Sequence, residues 1–425
     1  MANPKQAVLL IHGVGEQRPM DTLRGFVKTA WTLDHEVQHR YAHPDVYSKP
    51  DDLCGSLELR RLTTTKNKED IRTDFFEYYW AHLMEGTTVG HVWAWYRTLI
   101  ARNPFSLPQK LQALWIILVT ILVLVLFFTM QLTLPAQFVW IPRWLSAVLS
   151  ILTVAVAPAV KLIIGDAARY LHPSPTNINQ RQEIREKGVD LLLQLHQSGR
   201  YDRIIVVGHS LGTVIGYDIL THAWARLNQE EEPRKPYAGL DELEDMLKHD
   251  LPDKLNPEDF QQAQRHLQEG LREQEHPWLV TDFLTMGSPL THADVLLAQN
   301  HADLIKKQDE RELPTCPPVQ ERELISYPAD HQKRMLHYAA LFGPTRWTNL
   351  YFPSHFLIDG DFVSGPLAPV FGPGIRDIPV KTRQNLGLFS HTLYWDYDSK
   401  TPVVPSHIQT LRKALKLVDE SDIDE

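Results

Sequence analysis

Residues 203–215 read Arg-Ile-Ile-Val-Val-Gly-His-Ser-Leu-Gly-Thr-Val-Ile, and no other stretch constrains the fold so tightly. The β-branched run Ile204 to Val207 reads as a buried strand. Gly-x-Ser-x-Gly then makes a sharp turn, and the apolar-rich segment that continues to about Arg226 has helical spacing. Strand, turn and helix in that order are the setting of a nucleophile elbow. The turn brings backbone segments so close that glycine is needed at 208 and 212, where any Cβ would collide. The helix that starts beside Ser210 contributes unpaired N–H groups and the positive end of its dipole, which suits an anionic tetrahedral intermediate.

A serine used in this way needs an oxyanion loop before it, an acid after it and a histidine last. Ala7 to Ile11 reads as a buried strand and runs into His12-Gly13-Val14-Gly15. Far downstream, Arg346 to Phe352 reads as a strand, followed by Asp359-Gly360-Asp361-Phe362-Val363-Ser364-Gly365-Pro366-Leu367. Ser390-His391, with Tyr394 and Trp395 close behind, places a histidine 30 positions after Asp361. With the strand Val280 to Met286 and its Gly287-Ser288-Pro289 ending, these motifs make the chain resemble the α/β-hydrolase superfamily, and within it the serine lipases and esterases.

The resemblance implies an α/β-hydrolase fold, a mostly parallel sheet flanked by helices. It implies Ser210 as nucleophile, Asp361 as acid with Asp359 as the alternative, and His391 as base with His407 as the competitor. The oxyanion donors would be the backbone N–H groups of Val14, or alternatively Gly13, and of Leu211. The expected chemistry is carboxylic ester hydrolysis through an acyl-enzyme, with no cofactor and no metal.

A second feature concerns location. Between Lys110 and Arg143 no residue is charged, and Ala113 to Met130 is an 18-residue apolar run broken only by Thr120 and Thr129. That composition predicts a transmembrane helix, and a weaker one runs from Trp144 to about Gly165. The short link with Trp140 and Pro142 would close a hairpin inserted into the fold. Arg97, Arg102 and Lys110 before it and Lys161 and Arg169 after it, against Arg143 alone in the link, put both ends in the cytoplasm. A buried or interfacial helical hairpin is the alternative. The N-terminus shows no secretory signal pattern. The expectation is therefore a membrane protein with its catalytic domain facing the cytoplasm, whose partners are the bilayer and a lipid or other hydrophobic ester.

The implied organisation is an N-terminal catalytic part (1–110), the hairpin (111–165), a C-terminal catalytic part (166–415) with polar insertions at 228–277 and 300–334, and an acidic tail (416–425). A net charge of −9 argues against a nucleic-acid partner. Cys54 and Cys316 form no disulfide framework and no metal-binding spacing. Two other functions compete: a catalytically idle membrane scaffold, and a zinc metalloprotease using His35, Glu36 and His39. The second rests on His-Glu-x-x-His at a predicted helix end, and its flanks fit badly, with His43 only four residues past His39.

Overall fold

The computed structural model describes residues 5–14, 18–33, 46–67, 70–84, 109–151, 170, 175–229, 234–249, 255–328, 333–354, 360–361, 363–381, 387–396 and 404–417. Two compact units emerge: Met1–Gly13, Gln17–Trp80 and Gln182–Glu425 form the first, and Val14–Glu16 with Ala81–Arg181 form the second.

The first unit is α/β. Its strands are β1 (Lys5–Ile11), β2 (Val46–Pro50), β3 (Arg60–Lys66), β4 (Arg72–Tyr78), β5 (Arg203–His209), β6 (Val280–Met286), the two-residue β7 (Ser326–Tyr327) and β8 (Met335–Leu336), then β9 (Arg346–Tyr351) and β10 (Arg376–Pro379). Eight form one sheet in the order β10-β9-β6-β5-β1-β4-β3-β2, while β7 and β8 pair separately. From β10 to β4 every pairing is parallel; β3 pairs antiparallel with both β4 and β2. Ala7 to Ile11 and Ile204 to Val207 are buried throughout, as central strands covered on both faces must be.

The helices are α1 (Asp21–Val27), α2 (Gln109–Thr133) in the second unit, α3 (Pro175–Gln197), α4 (Leu211–Gln229), α5 (Leu240–His249), α6 (Pro257–Glu273), α7 (His301–Asp309) and α8 (Ser406–Ala414), and α1, α4 and α6 pack on strands of the sheet. One core layer packs Leu23, Phe26, Phe75, Val207, Leu284 and Leu411 beneath α1 and α8. On the opposite face Tyr217 of α4 meets an aromatic group in which Phe342 and Trp347 stack with centroids 4.5 Å apart.

Segment 228–277, read from sequence as a polar insertion, contains sheet-flanking helix. Asn256 caps α6 by accepting the Glu258 N–H, Pro257 occupies its first turn, and Phe260, Ala263, Leu267 and Leu271 are buried along one face. Part of 300–334 is likewise ordered as α7, capped by Asn300.

The expected membrane location is corrected by the second unit: among the described residues no helix is long and apolar enough to cross a membrane. The apolar helix α2 of this unit spans Gln109–Thr133. Polar groups close its far end. Gln131 is buried and its side chain accepts the Trp140 N–H at 2.9 Å, while the Arg143 guanidinium donates to the Leu134 carbonyl at 3.0 Å. The following helix is described over 143–151 only, and the rest of the expected second span lies outside the described residues. No inserted membrane hairpin is present among the described residues.

One buried acid in the first unit has a consequence for stability. Glu77 of β4 is 1% exposed and accepts the Met20 N–H at 2.7 Å, where the chain enters α1. Burial pushes its carboxyl up to about 7 from 4.5; the Met20 bond opposes the rise and Asp21 adds to it. A raised acid favours the folded state below its unfolded pKa, and this advantage disappears as pH climbs through the folded value. Glu77→Gln is therefore expected to match the native chain near pH 4 and to exceed its stability above pH 7 by up to about 3 kcal/mol. Urea midpoints across pH 4–8 measure this, and parallel curves for the two proteins would refute it.

Candidate active site

The carboxyl edge of the parallel strands gathers the chemistry. β1 and β5 lie in register with Ile11 opposite Gly208, so His12-Gly13 and His209-Ser210 emerge side by side. Ser210 adopts φ 52°, the left-handed conformation of an elbow, and its N–H donates to the Met286 carbonyl at 3.0 Å. A Cβ at position 208 would stand 2.6 Å from Thr213 Cα, and one at 212 would stand 2.2 Å from the Ile11 carbonyl oxygen. Those two approaches are the physical reason for the glycines. Gly13 is equally close: a Cβ there would lie 2.8 Å from Ser210 Cβ.

Three residues far apart in sequence meet here. His391 Nε2 lies 2.7 Å from Ser210 Oγ, and His391 Nδ1 lies 2.8 Å from Asp361 Oδ2. A carboxylate only accepts, so the imidazole donates from Nδ1; Nε2 is left to accept the serine hydroxyl. That is the tautomer a general base requires. Asp361 is 1% exposed, and its Oδ1 accepts the Val363 N–H at 3.0 Å. Burial alone would raise its carboxyl, but the charge and hydrogen bond of His391, with the hydroxyls of Ser364 and Tyr394, outweigh burial and hold it at about 2.

Of the alternatives, Asp359 lies outside the described residues. His407 is buried on α8 with Nε2 3.4 Å from the Asp396 carbonyl, and its ring lies against Phe352. The segment holding His35, Glu36 and His39 lies outside the described residues, and among the described ones no group of His, Cys, Asp and Glu is placed to hold a metal ion.

Leu211 is the first residue of α4, a position whose N–H has no acceptor within the helix. Just past β1, the His12 ring is held in one tautomer. Its Nε2 lies 3.3 Å from the Trp80 N–H and its Nδ1 2.8 Å from the Gly13 carbonyl, so Nδ1 donates and Nε2 accepts. The ring stacks on Trp80, whose indole N–H donates to the His12 carbonyl at 2.9 Å. Val14, the other expected donor, belongs to the second unit.

Two groups were not singled out in the sequence. His209, the variable residue of Gly-x-Ser, is driven down to about 3 by burial and by the neighbouring His391. Its neutral ring donates Nε2–H to the His391 carbonyl at 2.9 Å and stands edge-on to Trp395 with centroids 4.7 Å apart. Tyr394, three residues after His391, donates its hydroxyl to Asp361 Oδ2 at 2.9 Å. The aromatic residues following Ser-His were the only signal for these contacts.

Compared with models of known families, with curated proteins and with solved structures, the chain gave no match. The functional reading therefore stands on the geometry and on the short motifs.

Proposed function

We propose that the chain is a serine hydrolase of the α/β-hydrolase type that cleaves carboxylic esters. The supporting observation is the continuous hydrogen-bonded series Ser210 Oγ, His391, Asp361, set on an elbow at the carboxyl edge of a parallel sheet. His391 takes the Ser210 proton as Oγ attacks the ester carbonyl. The resulting oxyanion is received by the N–H of Leu211 at the start of α4. Collapse expels the alcohol, which takes the proton from His391, and an acyl-Ser210 ester remains. Water, activated by the same imidazole, then releases the acid and restores the serine.

A hydrophobic, lipid-like ester as substrate rests on the resemblance to serine lipases in the short motifs. A panel of p-nitrophenyl esters from acetate to palmitate tests both parts. Turnover that rises with chain length supports the lipid-like substrate, and turnover confined to acetate restricts the protein to short esters. No hydrolysis of any ester by folded protein would contradict the enzymatic reading.

A further inference from the structure

We infer that Tyr394 is a positioning residue of this site, a fourth member that binds the acid, the base segment and the strand end through one buried hydroxyl. The inference rests on the hydrolase reading and extends it to a residue that touches no substrate.

Tyr394 is 1% exposed, and its ring packs against Phe352 with centroids 4.6 Å apart. Its hydroxyl serves three segments. It donates to Asp361 Oδ2 at 2.9 Å, accepts the Phe352 N–H just beyond β9 at 3.2 Å, and lies 3.0 Å from Ser364 Oγ on the acid loop. The tyrosine itself follows the short turn Gly387–Thr392 that bears His391. Asp361 is fixed from the same strand end, since its N–H donates to the Phe352 carbonyl at 3.2 Å.

Gly287 makes the arrangement possible. At φ 63°, a Cβ there would stand 2.8 Å from Tyr394 Cε2 and 3.1 Å from His391 Cε1. The Gly-Ser-Pro turn after β6 is thus a space left for the base and for the tyrosine behind it.

The chemistry follows from which oxygen is shared. Asp361 Oδ2 receives both the imidazole Nδ1–H and the phenol, while Oδ1 receives the Val363 N–H. Two donors on one oxygen fix the carboxylate rotamer and withdraw its basicity. The acid can then stabilise an imidazolium without taking its proton. The titratable groups facing Tyr394 are Asp361 from the acid loop, His391 from the short turn and His209 from the end of β5, and His209 is held neutral by burial.

Tyr394→Phe in the full chain tests this, because it keeps the ring and removes only the hydroxyl. The expected result is a fall in kcat of roughly ten- to a hundredfold, the scale of one hydrogen bond to a charged group. KM should stay within about twofold. The acid limb of kcat/KM should move to higher pH, because a carboxylate oxygen no longer shared with a phenol holds the protonated imidazole more strongly. The rate of fluorophosphonate labelling should show the same limb. A merely structural tyrosine would lower activity in proportion to the folded fraction and leave the limb in place; that result, or native kinetics, overturns the assignment. Should Tyr394→Phe not fold, Ser364→Ala is measured in its place, with a limb shift of the same sign expected and an unmoved limb counting against it. A native chain that neither turns over esters nor accepts the probe defeats the hydrolase reading itself. A reactive native chain with an indifferent Tyr394→Phe defeats only the role of the tyrosine.

Discussion

Ser210→Ala is expected to lower kcat for ester hydrolysis by roughly 10⁵- to 10⁶-fold, the loss that follows removal of a triad nucleophile, and to leave KM nearly unchanged. The substitution deletes a single oxygen whose partner is His391 Nε2. The backbone is already in the left-handed region at φ 52°, and alanine meets the same conformation with the same Cβ. The N–H bond to the Met286 carbonyl also remains. Thermal unfolding should therefore fall within a few degrees of the native chain. Steady-state kinetics on the best ester of the panel, with thermal scans alongside, measures this. More than a tenth of native turnover in the alanine variant would remove Ser210 from the chemistry.

The second large effect is expected at Asp361. Asp361→Asn should lower kcat about 10⁴-fold, because an amide that turns its NH₂ toward His391 forces the imidazole into the wrong tautomer. The damage extends to Tyr394, since both donors address Oδ2 and an amide nitrogen accepts neither. Stability carries a separate signature. The Asp361 carboxyl is held at about 2, below its ordinary 3.8, so its ionised form favours the folded state above pH 4. That contribution is lost as pH falls through the folded value, and at roughly 2 kcal/mol it should steepen the acid unfolding of the native chain between about pH 4 and pH 2. The asparagine variant, less stable at pH 7, should lack that steepening. Urea titrations at pH 7, 4 and 2.5 separate the two curves, and identical acid limbs would contradict the buried ionised acid.

The site was legible in the sequence where backbone geometry dictates residue type. Gly208 and Gly212 are required by approaches under 3 Å, so the elbow announces itself in five residues. The choice of Asp361 over Asp359, or His391 over His407, is a matter of which side chains the sheet edge brings together, and spacing alone left it open. Tyr394 and His209 were hidden for a related reason: each acts through a partner more than thirty positions away. The short edge strand β2, Val46–Pro50, was missed because an exposed polar edge ending in proline has little strand signal. The apolar run of α2 misled because composition measures hydrophobicity. It does not register that Gln131 and Arg143 tie the turn beyond the run.

The most direct measurement exposes the folded chain to a fluorophosphonate probe and maps the adduct by peptide mass. Attack of Ser210 Oγ on phosphorus with loss of fluoride should give a single adduct on the peptide containing Ser210. That adduct should be absent in Ser210→Ala and should form far more slowly in Asp361→Asn. A native chain that stays unlabelled, or an adduct on another residue that persists in Ser210→Ala, would contradict the triad.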